Sequence, residues 1–264
     1  GYTAVPDRPL AGIGVLVTRP VEQAEQLVQL IEAAGGRAIR FPALAIAPPT
    51  YPAALGALLD RLAQFDLAIF ISPTAVEQAL RRLHERGQKL PADMTIAAIG
   101  AGSAAALAAH GIVALAPKER FDSEGLLALP RLLQVKGQRV VIFRGEGGRA
   151  LLGDTLRARG AEVVSAECYR RVRPATDAEP LRDRWRRGEI DVVSITSIAA
   201  LDNLHTMLDG PGRAALLATP VAVLNTSQAA ACQRLGFVHT PLVASQATDA
   251  ALVQAIGAWA ARRA

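Results

Sequence analysis

Donor-rich turns follow short apolar runs at six places in the sequence. In a parallel α/β sheet, the turns after the strands lie at the carboxyl edge, where ligands bind. Hydroxyls and free backbone N–H groups at helix starts donate hydrogen bonds to anions. The turns therefore predict an anion-binding edge, although Ser72, Ser197 and Ser227 could simply cap helices. The six are Thr18-Arg19-Pro20, Ser72-Pro73-Thr74, Gly100-Ala101-Gly102-Ser103, Arg144-Gly145-Glu146-Gly147-Gly148-Arg149, Thr196-Ser197 and Asn225-Thr226-Ser227.

Two of these turns also match the glycine pattern of dinucleotide-binding proteins. Residues 145–150 have G-x-G-x-x-A spacing after an apolar run, and Glu167 lies about 20 residues on, where a ribose-binding carboxylate is expected. Residues 100–105 match the same pattern. A pattern that occurs twice in one chain has little specificity, and in the match at residues 145–150 an arginine, Arg149, faces the turn. A dinucleotide-dependent oxidoreductase is therefore disfavoured but left open.

Other common active-site patterns are missing from the sequence. The two cysteines stand 64 positions apart, and the four histidines are scattered singly, so no metal site or disulfide framework is predicted. There is no nucleophile elbow, no phosphate-binding P-loop and no pair of carboxylates at the strand ends. The residues of these turns are therefore better suited to binding an anion than to nucleophilic attack on it.

The charge of the chain favours an anionic partner. The net charge is +5, from 29 basic and 24 acidic residues. The basic residues are dispersed rather than striped, which argues against nucleic acid and fits a small polyanion. No apolar run is long enough to span a membrane, and the first residues lack the order of a secretory signal. These features predict a soluble cytoplasmic protein.

The sequence contains an internal duplication. At a constant offset of 125 residues, four segments align with four later ones, pairing for example Arg19 with Arg144 and Ser72 with Ser197. Such a constant offset indicates two copies of one structural unit. The earlier segments are residues 14–36, 65–78, 96–112 and 123–127, and the later ones are 139–161, 190–203, 221–237 and 248–252.

Each copy predicts alternating strands and helices. After Arg19, apolar residues recur three or four positions apart until Gly35 and Gly36, as in an amphipathic helix. The predicted strands are short and uniformly apolar, which is typical of a parallel sheet covered on both faces. The predicted fold class is therefore α/β, with two similar doubly wound parallel-sheet lobes. Two proline-containing extended segments, RFPALAIAPPTYP and ECYRRVRPATDAEP, are predicted to link the lobes.

Several motifs resemble one known family, the uroporphyrinogen III synthases. They are VLVTRP, RGEGGRALLGDTLRARGAEV followed by ECYRR, and ITSIAALDNL, in the order and spacing of that family. The resemblance extends from Gly14 to Ile256. It implies a discontinuous first lobe of residues 1–43 plus 174–264, a second lobe of residues 48–167, and two linker strands at 44–47 and 168–173.

The resemblance also implies a substrate and a reaction. The substrate would be hydroxymethylbilane, an open-chain tetrapyrrole with eight carboxylates. Loss of a hydroxyl from the ring A end gives a cationic azafulvene, which ring D attacks at its substituted carbon. A spiro intermediate then opens and recloses with ring D inverted, inside the inter-lobe cleft. No cofactor or metal is implied.

By the same resemblance, Tyr169 in the CYRR motif would assist the departing hydroxide. The residues predicted to bind this substrate come from the six donor-rich turns and are Arg19, Ser72, Thr74, Gly102, Ser103, Arg144, Gly145, Gly147, Gly148, Arg149, Thr196, Ser197, Thr226 and Ser227. A monomer is expected, with the preceding pathway enzyme as a candidate partner. The alternative is a non-catalytic tetrapyrrole-binding or regulatory module of the same fold, because a fold does not by itself determine function.

Overall fold

The structure is a computed structural model, and it describes residues 7–263. The predicted first lobe also includes residues 1–6 and 264, which lie outside the described residues. The strands are β1 Gly14–Val17, β2 Arg37–Arg40, β3 Ala45–Ala47, β4 Leu67–Phe70, β5 Thr95–Ala98, β6 Arg139–Gly145, β7 Glu162–Val172, β8 Val192–Ile195, β9 Val221–Val223 and β10 Leu242–Val243.

Helices alternate with these strands along the described part of the chain. They are α1 Val21–Ala33, α2 Pro52–Asp60, α3 Pro73–Glu85, α4 Ala101–Ala108, α5 Ser123–Leu127, α6 Pro130–Leu133, α7 Leu151–Ala158, α8 Glu179–Arg186, α9 Ile198–Met207, α10 Gly210–Leu217, α11 Thr226–Leu235 and α12 Asp249–Arg263. None of the helices in the described range is long and apolar enough to cross a membrane.

The chain divides into two compact units. Unit 1 contains residues 7–45 and 172–263, and unit 2 is Ile46–Arg171. The sheet of unit 1 has the order β10-β9-β8-β1-β2, and its four pairings are parallel. The other sheet has the order β3-β7-β6-β4-β5, with parallel pairing from β7 to β5. The predicted fold class is confirmed.

The internal duplication is visible in the sheet order. Strand β8 occupies the positions that match β4 at the 125-residue offset, and the order β9-β8-β1-β2 corresponds to β5-β4-β6-β7. Each sheet therefore combines the first two strands of one copy with later strands of the other. In unit 1, β1 lies between β2 and β8 and pairs with both.

Each sheet is covered by helices on both faces, which explains the uniformly apolar strands. All four residues of β1 and all four of β4 are buried. Helix α1 turns Ala24, Leu27 and Val28 toward the core of unit 1, as the spacing predicts. In unit 2, the rings of Phe70 on β4 and Phe143 on β6 stack with centroids 4.8 Å apart. These contacts hold the carboxyl ends of β4 and β6 side by side.

Candidate active site

A pocket opens at the carboxyl ends of β4 and β6 in unit 2. Its volume is about 330 Å³. Seven of the predicted site residues line it, drawn from the turn after β4, the glycine turn after β6 and strand β7. The complete lining is Ile71, Ser72, Ile99, Asp122, Ser123, Arg144, Gly145, Glu146, Gly147, Gly148, Arg149, Leu152, Tyr169 and Arg171. The turns after β4 and β6 therefore meet in one place, as parallel strands require.

Tyr169 is held with its hydroxyl at this pocket. The residue lies on β7 and is only 2% exposed. Its Oη is hydrogen-bonded to Ser72 Oγ at 3.0 Å. Its ring packs on Gly145, where a Cβ would lie 2.7 Å from ring atoms Cε2 and Cζ. Such a distance is too short for any side chain, so only glycine leaves the ring in this position.

Arg171 is a pocket residue that the sequence analysis missed. Its Nη2 donates to Tyr169 Oη at 3.4 Å, and its Cζ lies 5.5 Å from the centroid of the tyrosine ring. A strand places residues i and i+2 on the same face. The second arginine of the CYRR motif could have been found by that rule once Tyr169 was chosen.

The guanidinium of Arg144 is hydrogen-bonded to backbone carbonyls of the glycine turn that follows β6. It donates from Nη2 to the Gly147 carbonyl and from Nη1 to the Arg149 carbonyl, the latter at 3.2 Å. Gly147 and Gly148 have φ values of 81° and 93°, which favour glycine. Among the described residues, the backbone N–H groups of residues 147–149 have no hydrogen-bond partner. Arg144 thus organises a turn that leaves three amide donors at the pocket.

An ion-pair network borders the same pocket. Arg149 Nη2 contacts Glu124 Oε1 at 3.0 Å, and Arg120 Nε donates to Asp122 Oδ2 at 2.6 Å. The Arg120 hydrogen bond and the backbone N–H of Gly125 hold the pKa of Asp122 below its usual range. The pKa of Glu124 is lowered by its own backbone N–H and by Arg149. The side chain of Arg149 is mostly exposed, and it already pairs with one carboxylate, that of Glu124.

Three further predicted residues of unit 2 do not line the pocket. Thr74 is buried in the first turn of α3, and Ser103 is buried in α4. A Cβ on Gly102 would lie 3.3 Å from Pro73, so this glycine faces a neighbouring turn. Burial of Thr74 and Ser103 follows from the inward faces of their helices, which the turn pattern did not resolve.

In unit 1, Arg19 is occupied by an ion pair. Its Nη1 contacts Asp249 Oδ1 at 2.6 Å, with exposed side-chain fractions of 23% and 7%. Arg19 Nε is buried without a partner in the described part of the chain. A substrate carboxylate would have to share this guanidinium with Asp249.

Of the other predicted residues of unit 1, one caps a helix, one is half-buried and two are exposed. Ser197 accepts from the N–H of Ala200 at 3.1 Å and so caps α9. Thr196 offers its carbonyl to the Gln228 amide. Thr226 and Ser227 are exposed, and Asn225 caps α11 instead of Ser227 because α11 begins at Thr226. Ser72 and Ser197 thus do cap their helices, whereas Ser227 does not.

The pocket offers hydrogen-bond donors in place of a reactive thiolate or a metal-ligand cluster. Burial raises the pKa of Cys168 to about 12, and its Sγ donates to the Arg144 carbonyl. No group of three or more metal-ligating side chains occurs within residues 7–263. The donors of this pocket are therefore amides, guanidinium groups, hydroxyls and one phenol.

The fold and pocket together define a class: two-unit, internally duplicated α/β proteins with a pocket lined by hydrogen-bond donors at the strand ends of one unit. A family model described as uroporphyrinogen-III synthase HemD matches residues 25–254. The chain belongs to the uroporphyrinogen-III synthase family, as its motifs predicted. The prediction of an enzyme is also confirmed, because this is a family of cyclising lyases of heme biosynthesis.

Individual relatives support the same assignment. Uroporphyrinogen-III synthase of Escherichia coli K12 is 38% identical over 197 residues, covering 74% of this chain and 80% of that protein. The Synechococcus elongatus enzyme is 29% identical and covers 96% of this chain and 98% of its own length. Two crystal structures support the fold. A mutant synthase from Thermus thermophilus has a TM-score of 0.61 at 20% identity, covering 96% of this chain and 100% of that chain. The Helicobacter pylori 26695 enzyme has a TM-score of 0.61 at 12% identity, covering 94% and 99%.

Proposed function

We propose that this chain cyclises hydroxymethylbilane to uroporphyrinogen III, with inversion of ring D and loss of water through azafulvene and spiro intermediates. Family membership and the donor set of the unit 2 pocket support this proposal. The linear substrate closes to the uninverted isomer without help, so the enzyme must hold the chain in the geometry that gives inversion. Positioning of reacting groups supplies a large part of many enzymatic rate enhancements.

The pocket suits carboxylate side chains of such a substrate. The unpaired amides of residues 147–149 lie in the turn that leads into α7, whose N-cap is Ala150 and whose dipole favours an anion at that end. Arg171 and Arg149 add positive charge at the same pocket. We assign substrate carboxylates to the glycine turn and give Arg144 the task of holding that turn in shape. Arg19 and the turns of unit 1 stay predicted substrate contacts.

The composition of the pocket lining is the main support for Tyr169 as the group that protonates the leaving hydroxide. Among the residues that line the pocket, Asp122 and Glu146 have lowered pKa values and are ionised at neutral pH. Arginines keep their protons throughout the working pH range. The phenol of Tyr169 is the remaining acidic group of the lining, and a phenol ordinarily holds a transferable proton at neutral pH. Tyr169 is therefore the proposed general acid.

In the proposed reaction, the proton that Tyr169 donates is later returned to it. The C–O bond at the ring A end breaks with its electron pair going to oxygen, and the phenolic proton converts the departing hydroxide to water. The cation then forms its C–C bond with ring D. After rearrangement, the pyrrole carbon of the new macrocycle loses a proton, which returns to the phenolate. No oxidant, reductant or metal is needed.

The test supplies fresh hydroxymethylbilane to the purified protein, oxidises the products and separates isomers I and III by chromatography. We expect predominant isomer III from the unaltered protein. Tyr169→Phe should lower kcat by about 10- to 100-fold, because general acid catalysis is worth about two orders of magnitude or more and ring closure is intrinsically easy. Tyr51→Phe removes an exposed hydroxyl from the same unit and should leave kcat unchanged.

Other outcomes are equally informative. Isomer I alone, at the rate of a protein-free control, would overturn the enzymatic function. Retained tetrapyrrole binding in that case would favour the non-catalytic module. Isomer III formed at an unaltered rate by Tyr169→Phe would remove Tyr169 from the mechanism without touching the overall reaction. The monomeric state, the cytoplasmic location, the lobe boundaries and the contact with the preceding pathway enzyme stay predictions.

A further inference from the structure

We propose that Ser72 is a positioning residue that directs the phenolic proton of Tyr169 into the pocket, rather than a group that contacts substrate. The inference rests on the proposed function, because it concerns the proton that Tyr169 donates there. It changes the predicted role of Ser72, which the turn pattern assigned to substrate binding.

The contacts of Ser72 determine how its hydroxyl can act. Ser72 is the N-cap of α3, and its Oγ accepts the N–H of Ala75 at 3.0 Å. The same Oγ lies 3.0 Å from Tyr169 Oη. The hydroxyl has a single hydrogen, and within the described residues Tyr169 Oη is its only side-chain partner. Either oxygen could donate in this hydrogen bond, and we take Ser72 as the donor and Tyr169 Oη as the acceptor.

The second neighbour of the phenol oxygen can only donate. Arg171 Nη2 lies 3.4 Å from Tyr169 Oη, and a guanidinium has no acceptor. With Ser72 and Arg171 both donating to it, Tyr169 Oη uses its lone pairs on protein groups. The phenolic hydrogen is then left to point toward the open pocket, where it can reach the oxygen of a leaving hydroxyl.

The position of Ser72 also suits the charge that appears after proton transfer. The phenolate oxygen would lie one hydrogen bond from the N-cap of α3, a helix of 13 residues. Negative charge near a helix N-terminus is stabilised by the helix dipole. Ser72 thus connects the helix start to the phenolate, and its hydroxyl holds that charge until the macrocycle returns the proton.

The test separates this role from helix capping. Ser72→Gly removes the hydroxyl, yet glycine at an N-cap costs only a few tenths of a kcal/mol. Ser72→Thr keeps both the cap and the hydroxyl. We expect S72G to lower kcat by about three- to tenfold, the worth of one hydrogen bond, with KM unchanged. S72T should restore most of kcat. In the Y169F background, S72G should cause no further loss.

A matched serine provides the control. Ser197 caps α9 in the equivalent position of unit 1, and its hydroxyl bonds the N–H of Ala200 rather than a phenol. S197G should therefore change kcat by the same factor in the wild-type and Y169F backgrounds, whatever that factor is. Thermal melts of S72G and S197G should show similarly small shifts.

Three results would overturn the inference. A raised KM with unchanged kcat in S72G would make Ser72 a substrate contact. An equal loss of kcat on S72G substitution in the wild-type and Y169F backgrounds would show that Ser72 acts independently of Tyr169. In that case, a low kcat of Y169F itself would still support the proposed function. Wild-type kcat in Y169F would refute the acid role of Tyr169 and this inference together.

Discussion

At the scale of single residues, the pocket depends on the fit between Tyr169 and Gly145. The two residues face each other in the register of β7 and β6, just after an irregularity at Arg144. Gly145 therefore makes room for the phenol ring, whereas the sequence pattern had assigned it an amide contact with substrate. A missing side chain on one strand thus determines where the phenol on its neighbour lies.

Gly145→Ala should misplace the phenol. The new Cβ would lie 2.7 Å from the ring, so Tyr169 must shift and its bond to Ser72 must lengthen. We expect kcat to fall by about tenfold or more, with a stability loss of about 1–3 kcal/mol from overpacking. Isomer III formation and urea unfolding measure the two effects.

Gly56→Ala is the matched control for that variant. Gly56 lies in α2 of the same unit, where a Cβ would be 3.4 Å from the flexible end of Arg86. Alanine in a helix interior should stabilise the protein by about 0.5–1 kcal/mol and leave the rate unaltered. Full activity in Gly145→Ala would show that the phenol position is not critical.

At the scale of elements, the two copies differ at the junction between their first strand and the helix that follows it. In unit 1, Pro20 is the N-cap of α1, which begins directly after the turn. In unit 2, two glycines with positive φ precede α7, which begins only at Leu151. The longer turn leaves amide donors free in unit 2. Tyr169 aligns with Leu44 at the repeat offset, so the phenol also belongs to one copy alone.

The repeat also places an acidic residue at the same point of each copy, with different partners. Asp249 at the start of α12 pairs with Arg19, and Glu124 in α5 pairs with Arg149. The first pair is largely buried and joins the β1–α1 turn to α12, whereas Arg149 is mostly exposed. The ion pair of unit 1 is therefore expected to support the fold more strongly.

Asp249→Ala should destabilise the protein by about 2–3 kcal/mol. Removing one partner of a buried pair costs about 3–5 kcal/mol, and the partial exposure of Arg19 reduces this value. Glu124→Ala, at the equivalent position of unit 2, should cost about 1 kcal/mol or less. Urea unfolding of both variants gives the comparison, and equal losses would contradict the difference in burial.

At the scale of the whole molecule, the two units are built differently from the chain. Unit 2 is continuous, and β4, β5, β6 and β7 all lie within 67–172. Unit 1 is discontinuous, because β1 and β2 come from the start of the chain and pair beside β8. Helix α1 also packs Leu27 and Val28 into the core formed with α12. Unit 1 therefore needs both ends of the chain.

Fragments should show this difference. A fragment of residues 44–173 should fold cooperatively, because it retains every strand of its sheet. A fragment of residues 174–263 should not fold alone, since it lacks two strands and one helix of its core. Adding a peptide of residues 7–43 should restore its structure. Circular dichroism with urea titration measures each case, and cooperative unfolding of 174–263 alone would contradict this prediction.

The sequence by itself determined the alternation of strands and helices, the duplication, the fold class and the family. Apolar periodicity and glycine stops are local, so α1 could be predicted together with the residues it buries. The constant offset between copies and the CYRR and RGEGGR motifs likewise needed no coordinates.

Only the tertiary structure decided which predicted residues meet. Ser72 and Tyr169 are 97 positions apart, and Arg19 and Asp249 are 230 apart. A turn pattern shows that a hydroxyl or guanidinium follows a strand, but it does not show whether a helix start, a carboxylate or a phenol comes to lie beside it. Those partners depend on the register of neighbouring strands and on the packing of helices distant in the chain. For this reason the turn pattern did not predict Arg171 at the pocket or the ion pair of Arg19 with Asp249. It also did not predict that the phenol ring of Tyr169 packs on Gly145.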